Sequence, residues 1–138
     1  MTVRVERTFE LDADPAEVWA FIADPAKRAS AISVVDSYEA NEEGMIWHIR
    51  LPIPLVKQTV PVQTHDEVVE PPRYVRFVGT SSVLRVVGEH EIEPLENGCR
   101  LSNRFVVEGR IPGVESFFQR NLDDELDNLE RRLHRVVE

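Results

Sequence analysis

The sequence predicts an α+β domain in which a curved antiparallel sheet of seven strands wraps a long C-terminal helix, with two short helices between strands 1 and 2. Three observations carry this reading. Residues 32–109 alternate apolar and polar side chains in short runs broken by turn signals. After Gly113 the apolar residues recur at steps of three and four, the period of an amphipathic helix. Asp-Pro occurs at 14–15 and again at 24–25, each time an acidic N-cap followed by a proline at the first helical position.

Taken in order, Val3, Val5 and Phe9 alternate with Arg4, Glu6, Thr8 and Glu10, as in a half-buried strand. Asp14-Pro15-Ala16-Glu17 starts a helix whose apolar face is Val18, Trp19, Phe21 and Ile22, and Asp24-Pro25 starts a second that runs to about Ala31. Turns are expected at Asn41–Gly44, Pro52–Pro54, Glu70–Pro72, Thr80–Ser82 and Asn97-Gly98, the last being the strongest hairpin signal because both residues tolerate positive φ. Pro61 interrupts a strand near Val56 to Val69 and predicts a bulge or an unpaired edge position. Val114, Phe117, Phe118, Leu122, Leu126, Leu129, Leu133 and Val136 then trace one face of a helix of roughly two dozen residues. Its other face offers Arg120 with Asp124, Asp127 with Arg131 and Glu130 with His134, at the four-residue spacing of helix-surface pairs. Only a sheet can cover so long an apolar stripe.

Length and composition bound the rest. A chain of 138 residues is long enough for one core and too short for two, so a single domain over residues 1–138 is expected. No apolar stretch reaches bilayer length, and the first residues lack the apolar block of a secretion signal, which predicts a cytoplasmic protein without stable membrane insertion. The lone Cys99 allows no intrachain disulfide and no multi-cysteine metal site. Two lysines and fourteen arginines stand against twenty-five acids, for a net charge of −9. Such a surface repels phosphate backbones and anionic headgroups, which argues against nucleic-acid and membrane-surface partners.

Phe9 to Pro25, reading Phe-Glu-Leu-Asp-Ala-Asp-Pro-Ala-Glu-Val-Trp-Ala-Phe-Ile-Ala-Asp-Pro, is similar to the opening of the START-like (SRPBCC, birch-pollen-allergen-like) superfamily. There an apolar strand leads into a Pro-x-x-Val-Trp helix closed by Asp-Pro. The order of elements and the aromatic start of the last helix resemble the family along the whole chain. Where many members carry an aromatic pair after the second helix, this chain reads Ala31-Ile32-Ser33-Val34. The resemblance implies a helix-grip fold with a cavity between sheet and final helix. It implies the functions found in the superfamily too, from lipid and hormone carriers to polyketide cyclases and aromatases.

Alternation assigns the concave face, and with it a candidate ligand site of Trp47, Ile49, Gln58, Phe77, Leu84, Val86, His90, Leu101, Asn103 and Phe105, opposed by Phe117, Phe118 and Leu122. His90 is the candidate catalytic residue, an imidazole able to exchange protons near neutral pH; the alternative is a histidine hydrogen-bonded within the sheet. Asn103 and Gln58 suit either a ligand carbonyl or a neighbouring backbone group, and Trp47 with Phe117-Phe118 suits either ligand stacking or plain core. The four histidines lack ligand spacing: His48 and His65 fall on the face opposite His90, and even a cross-strand pair of them has no third ligand, so no metal is expected. The acidic run Asp123, Asp124, Glu125, Asp127 reads as a wet helix face. No phosphate-binding glycine loop, dinucleotide fingerprint or nucleophile elbow is present, and no cofactor is expected.

The leading expectation is a monomer or homodimer that carries or senses a small hydrophobic molecule (a lipid, quinone or aromatic polyketide-like compound) without catalysis. The second is a cyclase/dehydratase-like lyase or isomerase using His90. The third is an interaction protein whose cavity is filled by its own side chains. The acidic, lysine-poor surface has two explanations, adaptation to a salty cytoplasm or a G+C-rich genome that favours arginine codons. Melting curves separate them: halophilic adaptation predicts a melting temperature that rises from low to molar salt as self-repulsion is screened, and codon bias predicts none.

Overall fold

Each short helix begins where an aspartate can cap it. In the computed structural model, which describes residues 2–54 and 56–137, the Asp14 carboxylate accepts the Ala16 N–H at the start of α1 (Pro15–Ile22). Asp24 accepts from Ala26 and Lys27 at the start of α2 (Pro25–Ser30). A side-chain acceptor for these orphan N–H groups is worth about 1 kcal/mol per helix. Two capped helices joined over Ala23 and Asp24 make the bend the two Asp-Pro pairs predict.

The remaining elements are β1 (Thr2–Leu11), β2 (Val35–Asn41), β3 (Gly44–Ile49), β4 (Val60–Glu70), β5 (Tyr74–Thr80), β6 (Leu84–Leu95), β7 (Gly98–Gly109) and α3 (Val114–Val137). All seven strands form one antiparallel sheet in the order β1-β7-β6-β5-β4-β3-β2. The first strand therefore closes against the last, with Phe9 opposite Leu101. α3 packs on the concave face, completing the helix-grip arrangement.

Three details depart from the sequence reading. The hairpin near residue 97 turns on Glu96 and Asn97, with Leu95 paired to Gly98; only Gly98 takes positive φ (135°). The β2–β3 hairpin repeats this pattern, pairing Asn41 with Gly44 at φ 143°. β4 begins at Val60 rather than near Val56. Pro61 pairs with His48 of β3, while the β5 ladder begins only at Gln63, so the missing N–H breaks no ladder bond with β5. The bulge in this strand falls instead between Asp66 and Val68.

α3 buries Val114, Phe117, Phe118, Leu122, Leu126, Leu129 and Leu133, whereas Val136 is 55% exposed. Of the surface pairs, Glu130–His134 forms. Asp127 turns to Arg7 of β1, Arg131 bonds Asn128, and no Arg120–Asp124 contact forms among the described residues. Arg7 also reaches the Asp123 carbonyl at 3.1 Å. An edge-strand arginine thus outcompetes the local helix pair because it meets two acids and a carbonyl at once.

The core divides in two along α3. At the C-terminal half Leu126, Leu129 and Leu133 pack with Phe9, Phe21, Ile22, Val75, Ile92 and Leu101. At the N-terminal half Val114, Phe117, Phe118 and Leu122 meet Trp47, Ile49, Val62, Phe77, Leu84 and Val107. Gly88 of β6 lies between Phe77 of β5 and Phe105 of β7 in register. A Cβ there would stand 2.3 Å from Phe77 Cε1 and 3.0 Å from Phe105 Cε1. Both rings lean over the glycine and meet edge to face, centroids 6.2 Å apart. Gly88→Ala is therefore expected to destabilise the fold by about 1–3 kcal/mol through overpacking, read as a lower urea midpoint with an unchanged m-value.

Candidate functional site

Between the two halves of the core lies a cavity of about 70 Å³; the atom-free space among its lining side chains, counted with solvent at the mouth, is about 830 Å³. The smaller figure decides what fits without movement. Several waters need less, whereas a benzene-sized guest needs about 150 Å³. The sheet supplies Trp47, Ile49, Val62, Phe77, Leu84, Val86, His90, Phe105 and Val107, and α3 supplies Phe118, Leu122, Glu125, Leu126 and Leu129. Arg28, Ala31, Ile32 and Val34 close it from α2 and the segment that follows.

Of the thirteen candidate residues, Trp47, Ile49, Phe77, Leu84, Val86, His90, Phe105, Phe118 and Leu122 are among those lining residues. Leu101 is fully buried in the other half of the core, and Phe117 packs edge-on against Phe118 with centroids 5.1 Å apart. Gln58 is exposed on a bend before β4. Alternation counted back from Val62 does not reach it, because the β3–β4 ladder ends at Val60 and Gln58 lies outside it. His48 and His65 are not cross-strand partners: His48 faces Pro61 and bonds Glu39 at 3.3 Å, and His65 faces Val78. Cys99 is wholly buried, and burial, aided by Asp14, pushes its thiol pKa up, away from a reactive thiolate.

Asn103 stands one layer behind the lining. Its Nδ2 donates to the Arg7 carbonyl at 3.0 Å, which leaves Oδ1 to accept from His90 Nδ1 at 2.7 Å. This fixes the neutral His90 tautomer with its proton on Nδ1 and a lone pair on Nε2. Burial, with smaller contributions from Arg28 and Arg104, lowers the His90 pKa to about 4, against the raising effects of Asn103 and Glu89. The ring stacks on Phe77 and meets Phe105 edge-on.

Arg28 and Glu125 are the site residues that sequence pattern missed. Arg28, only 5% exposed, donates to the Ile22 carbonyl at 2.8 Å, pairs with Asp66 of β4, and lies 5.2 Å over the Phe77 ring. Nothing in the periodicity of a six-residue helix marks an arginine as buried. Glu125, read as part of a wet face, accepts the Ser33 N–H at 2.8 Å and the Ser33 hydroxyl, joining α3 to the 31–34 segment. Among the described residues, Arg28 Nε and Trp47 Nε1 are the buried side-chain nitrogens without a hydrogen-bond partner. Leaving such a donor unpaired costs about 1–3 kcal/mol.

A family model described as polyketide cyclase / dehydrase and lipid transport matches residues 2–134. None of the curated proteins matches the chain in sequence. Solved structures do. A START superfamily protein from Mycobacterium smegmatis aligns over 96% of this chain and 96% of its own, with a TM-score of 0.72 and 14% identity. The Zhui aromatase/cyclase from Streptomyces sp. R1128 aligns over 98% and 86%, with a TM-score of 0.64 and 18% identity. A protein from Thermus thermophilus, TTHA0849, aligns over 96% and 97%, with a TM-score of 0.67 and 23% identity. At these identities the likeness is one of fold. Among the described residues no helix is long and apolar enough to cross a membrane.

The lowered pKa of His90 has a measurable sign. Between about 4 and the ordinary 6.5 the unfolded chain takes up a proton that the folded chain refuses. Stability from this group is complete above that window and is lost as pH falls through it, by on the order of 3 kcal/mol. Urea melts at stepped pH should show His90→Gln losing less stability than the parent between pH ~6.5 and ~4, with equal slopes above that window.

Proposed function

The chain belongs to the polyketide cyclase / dehydrase and lipid transport family, and from that premise we propose that it binds a small hydrophobic molecule between sheet and α3, carrying or sensing it without chemical change. The observation that carries this reading is the make-up of the cavity wall. All its lining residues except Arg28, His90 and Glu125 are apolar. Arg28 is paired with Asp66 and Glu125 with Ser33. Such a surface gains most by covering an apolar guest, at roughly 25 cal/mol for each Å² removed from water. The guest's size is met by small displacements of side chains, since the resting cavity is narrower than one aromatic ring requires.

His90 favours the alternative, a cyclase- or dehydratase-like enzyme, by its place in the wall. Its chemistry weakens that case. A general base works best with a pKa near the working pH, and at about 4 this imidazole is a feeble base at neutrality and is not protonated to serve as an acid. It is better suited to accept a hydrogen bond through Nε2 than to move a proton.

Native mass spectrometry of gently purified protein is expected to show a bound apolar compound, retained in His90→Gln and lost in Leu122→Trp, whose larger side chain fills the cavity. Circular dichroism checks that both variants fold. Absence of any bound compound, together with no binding of an environment-sensitive apolar dye, would overturn the reading. Turnover of a polyketide-like substrate that falls at least a hundredfold in His90→Gln with ligand affinity intact would establish the enzyme instead.

A further inference from the structure

Acids outnumber bases in this chain by twenty-five to sixteen, so an arginine has many carboxylates to meet, and half of the fourteen arginines form ion pairs. Among the described residues Arg131, Arg132 and Arg135 do not. All three line one open cleft of about 240 Å³, where they and Asn128 of α3 face Ser30 and Ser33 at and beyond the end of α2. Polar neighbours rather than charges hold two of them: Arg131 donates to Asn128 Oδ1, and Arg132 Nη2 to Ser30 Oγ at 3.5 Å. The carboxylates of the preceding turns are engaged elsewhere, Glu125 by Ser33, Asp127 by Arg7 and Glu130 by His134, and Asp124 does not line the cleft. Arg131 and Arg135 are also one turn apart, a spacing at which like charges oppose the helix. A basic last turn suits the helix dipole, but the dipole does not require three arginines to share one face opposite a concave wall. A local conflict left uncompensated inside the fold is expected where a ligand completes the arrangement.

We propose that this cleft is a second binding site, separate from the apolar cavity, in which Arg131, Arg132 and Arg135 receive a phosphate group, free or carried on a small polar molecule. The donor set selects the anion. Each guanidinium is a rigid fork that matches two oxygens of an oxyanion. Three forks offer more donors than the two oxygens of a carboxylate can use, whereas a phosphate presents up to two charges and at least three terminal oxygens. The Ser33 hydroxyl is held by Glu125, which leaves the guanidinium groups to carry recognition. The net charge of −9 selects a small ligand over a nucleic-acid backbone, since an extended polyanion has to cross acidic surface on either side of the cleft.

The test titrates the full-length protein by heteronuclear NMR with inorganic phosphate, glycerol 3-phosphate and glycerate, at a fixed ionic strength of about 0.1 M. The three probes are too polar for the apolar cavity. Both phosphates are expected to shift the Ala31 and Ser33 amides and the Arg132 Nε–H, and to bind about tenfold more tightly than glycerate. Whichever phosphate binds the tighter shows whether the ligand is free or esterified, and either order supports the site. Arg131→Gln, Arg132→Gln and Arg135→Gln each weaken phosphate binding by about fivefold. Arg132→Lys, which keeps the charge and loses the fork, weakens it by about threefold. Arg120→Gln makes the same change of charge on α3 outside the cleft and leaves affinity within about twofold. All five arginine variants alter exposed residues, and circular dichroism melts confirm that they fold. Glycerate binding as tightly as the phosphates overturns the proposal, and so does Arg120→Gln weakening them as much as the cleft variants, since a diffuse field would then be the cause. Tighter binding of a single-stranded DNA of about ten nucleotides, lost in Arg132→Gln, also overturns it in favour of a nucleic-acid backbone. No shift of a cleft resonance at about 10 mM phosphate, a weak limit for a charge-assisted site, refutes the site outright. None of these results bears on the occupant of the apolar cavity.

Discussion

A sheet can curl around a helix and still leave space inside only if the helix is held firmly somewhere else. Here that hold is the C-terminal half of α3, where Leu126, Leu129 and Leu133 are enclosed by Phe9, Phe21, Ile22, Val75, Ile92 and Leu101. Each fully buried side chain of this size contributes about 1.5–3 kcal/mol, and the cluster draws on β1, β5, β6, β7 and α1 together. Arg7 adds a polar fastening from β1 to Asp123 and Asp127. With that end fixed, the N-terminal half need not be packed to full density. Phe118 and Leu122 can face a cavity at a cost the other half of the core offsets.

Within the looser half, Phe77 organises the wall. Trp47, His90, Phe105 and Arg28 all touch its ring, and the absent side chain of Gly88 is what lets it lean there. The polar groups around it are held by partners outside the cavity: His90 by Asn103, Asn103 by the backbone of β1, Arg28 by Asp66 and the end of α1. The cavity is therefore apolar, and the polar side chains around Phe77 are fixed by contacts drawn from three parts of the chain.

Much of this was legible in the sequence, for physical reasons that differ by element. Asp14-Pro15 and Asp24-Pro25 are local signals, complete within four residues, and the caps sit where those residues place them. The face of β6 and β7 followed from strict alternation, since both strands pair along their whole length. Gln58 was misplaced because alternation has meaning only inside a ladder, and none exists there. Arg28 and Glu125 were illegible for another reason. Their partners, Asp66 and Ser33, are 38 and 92 residues distant, and a charged residue's burial depends wholly on such remote partners. The helix pair Asp127–Arg131 failed likewise: spacing shows who can meet, and competition from Arg7 decides who does.

The bond between Glu125 and Ser33 has a bearing on how the cavity wall can open. It ties α3 to the 31–34 segment, and both supply the cavity wall. Ser33 is exposed and Glu125 half-exposed, so parting them exchanges these hydrogen bonds for bonds to water at small net cost. Any opening of the cavity between these two segments has to part that pair first, and the binding role proposed above would feel it in the rates of entry and exit rather than in affinity.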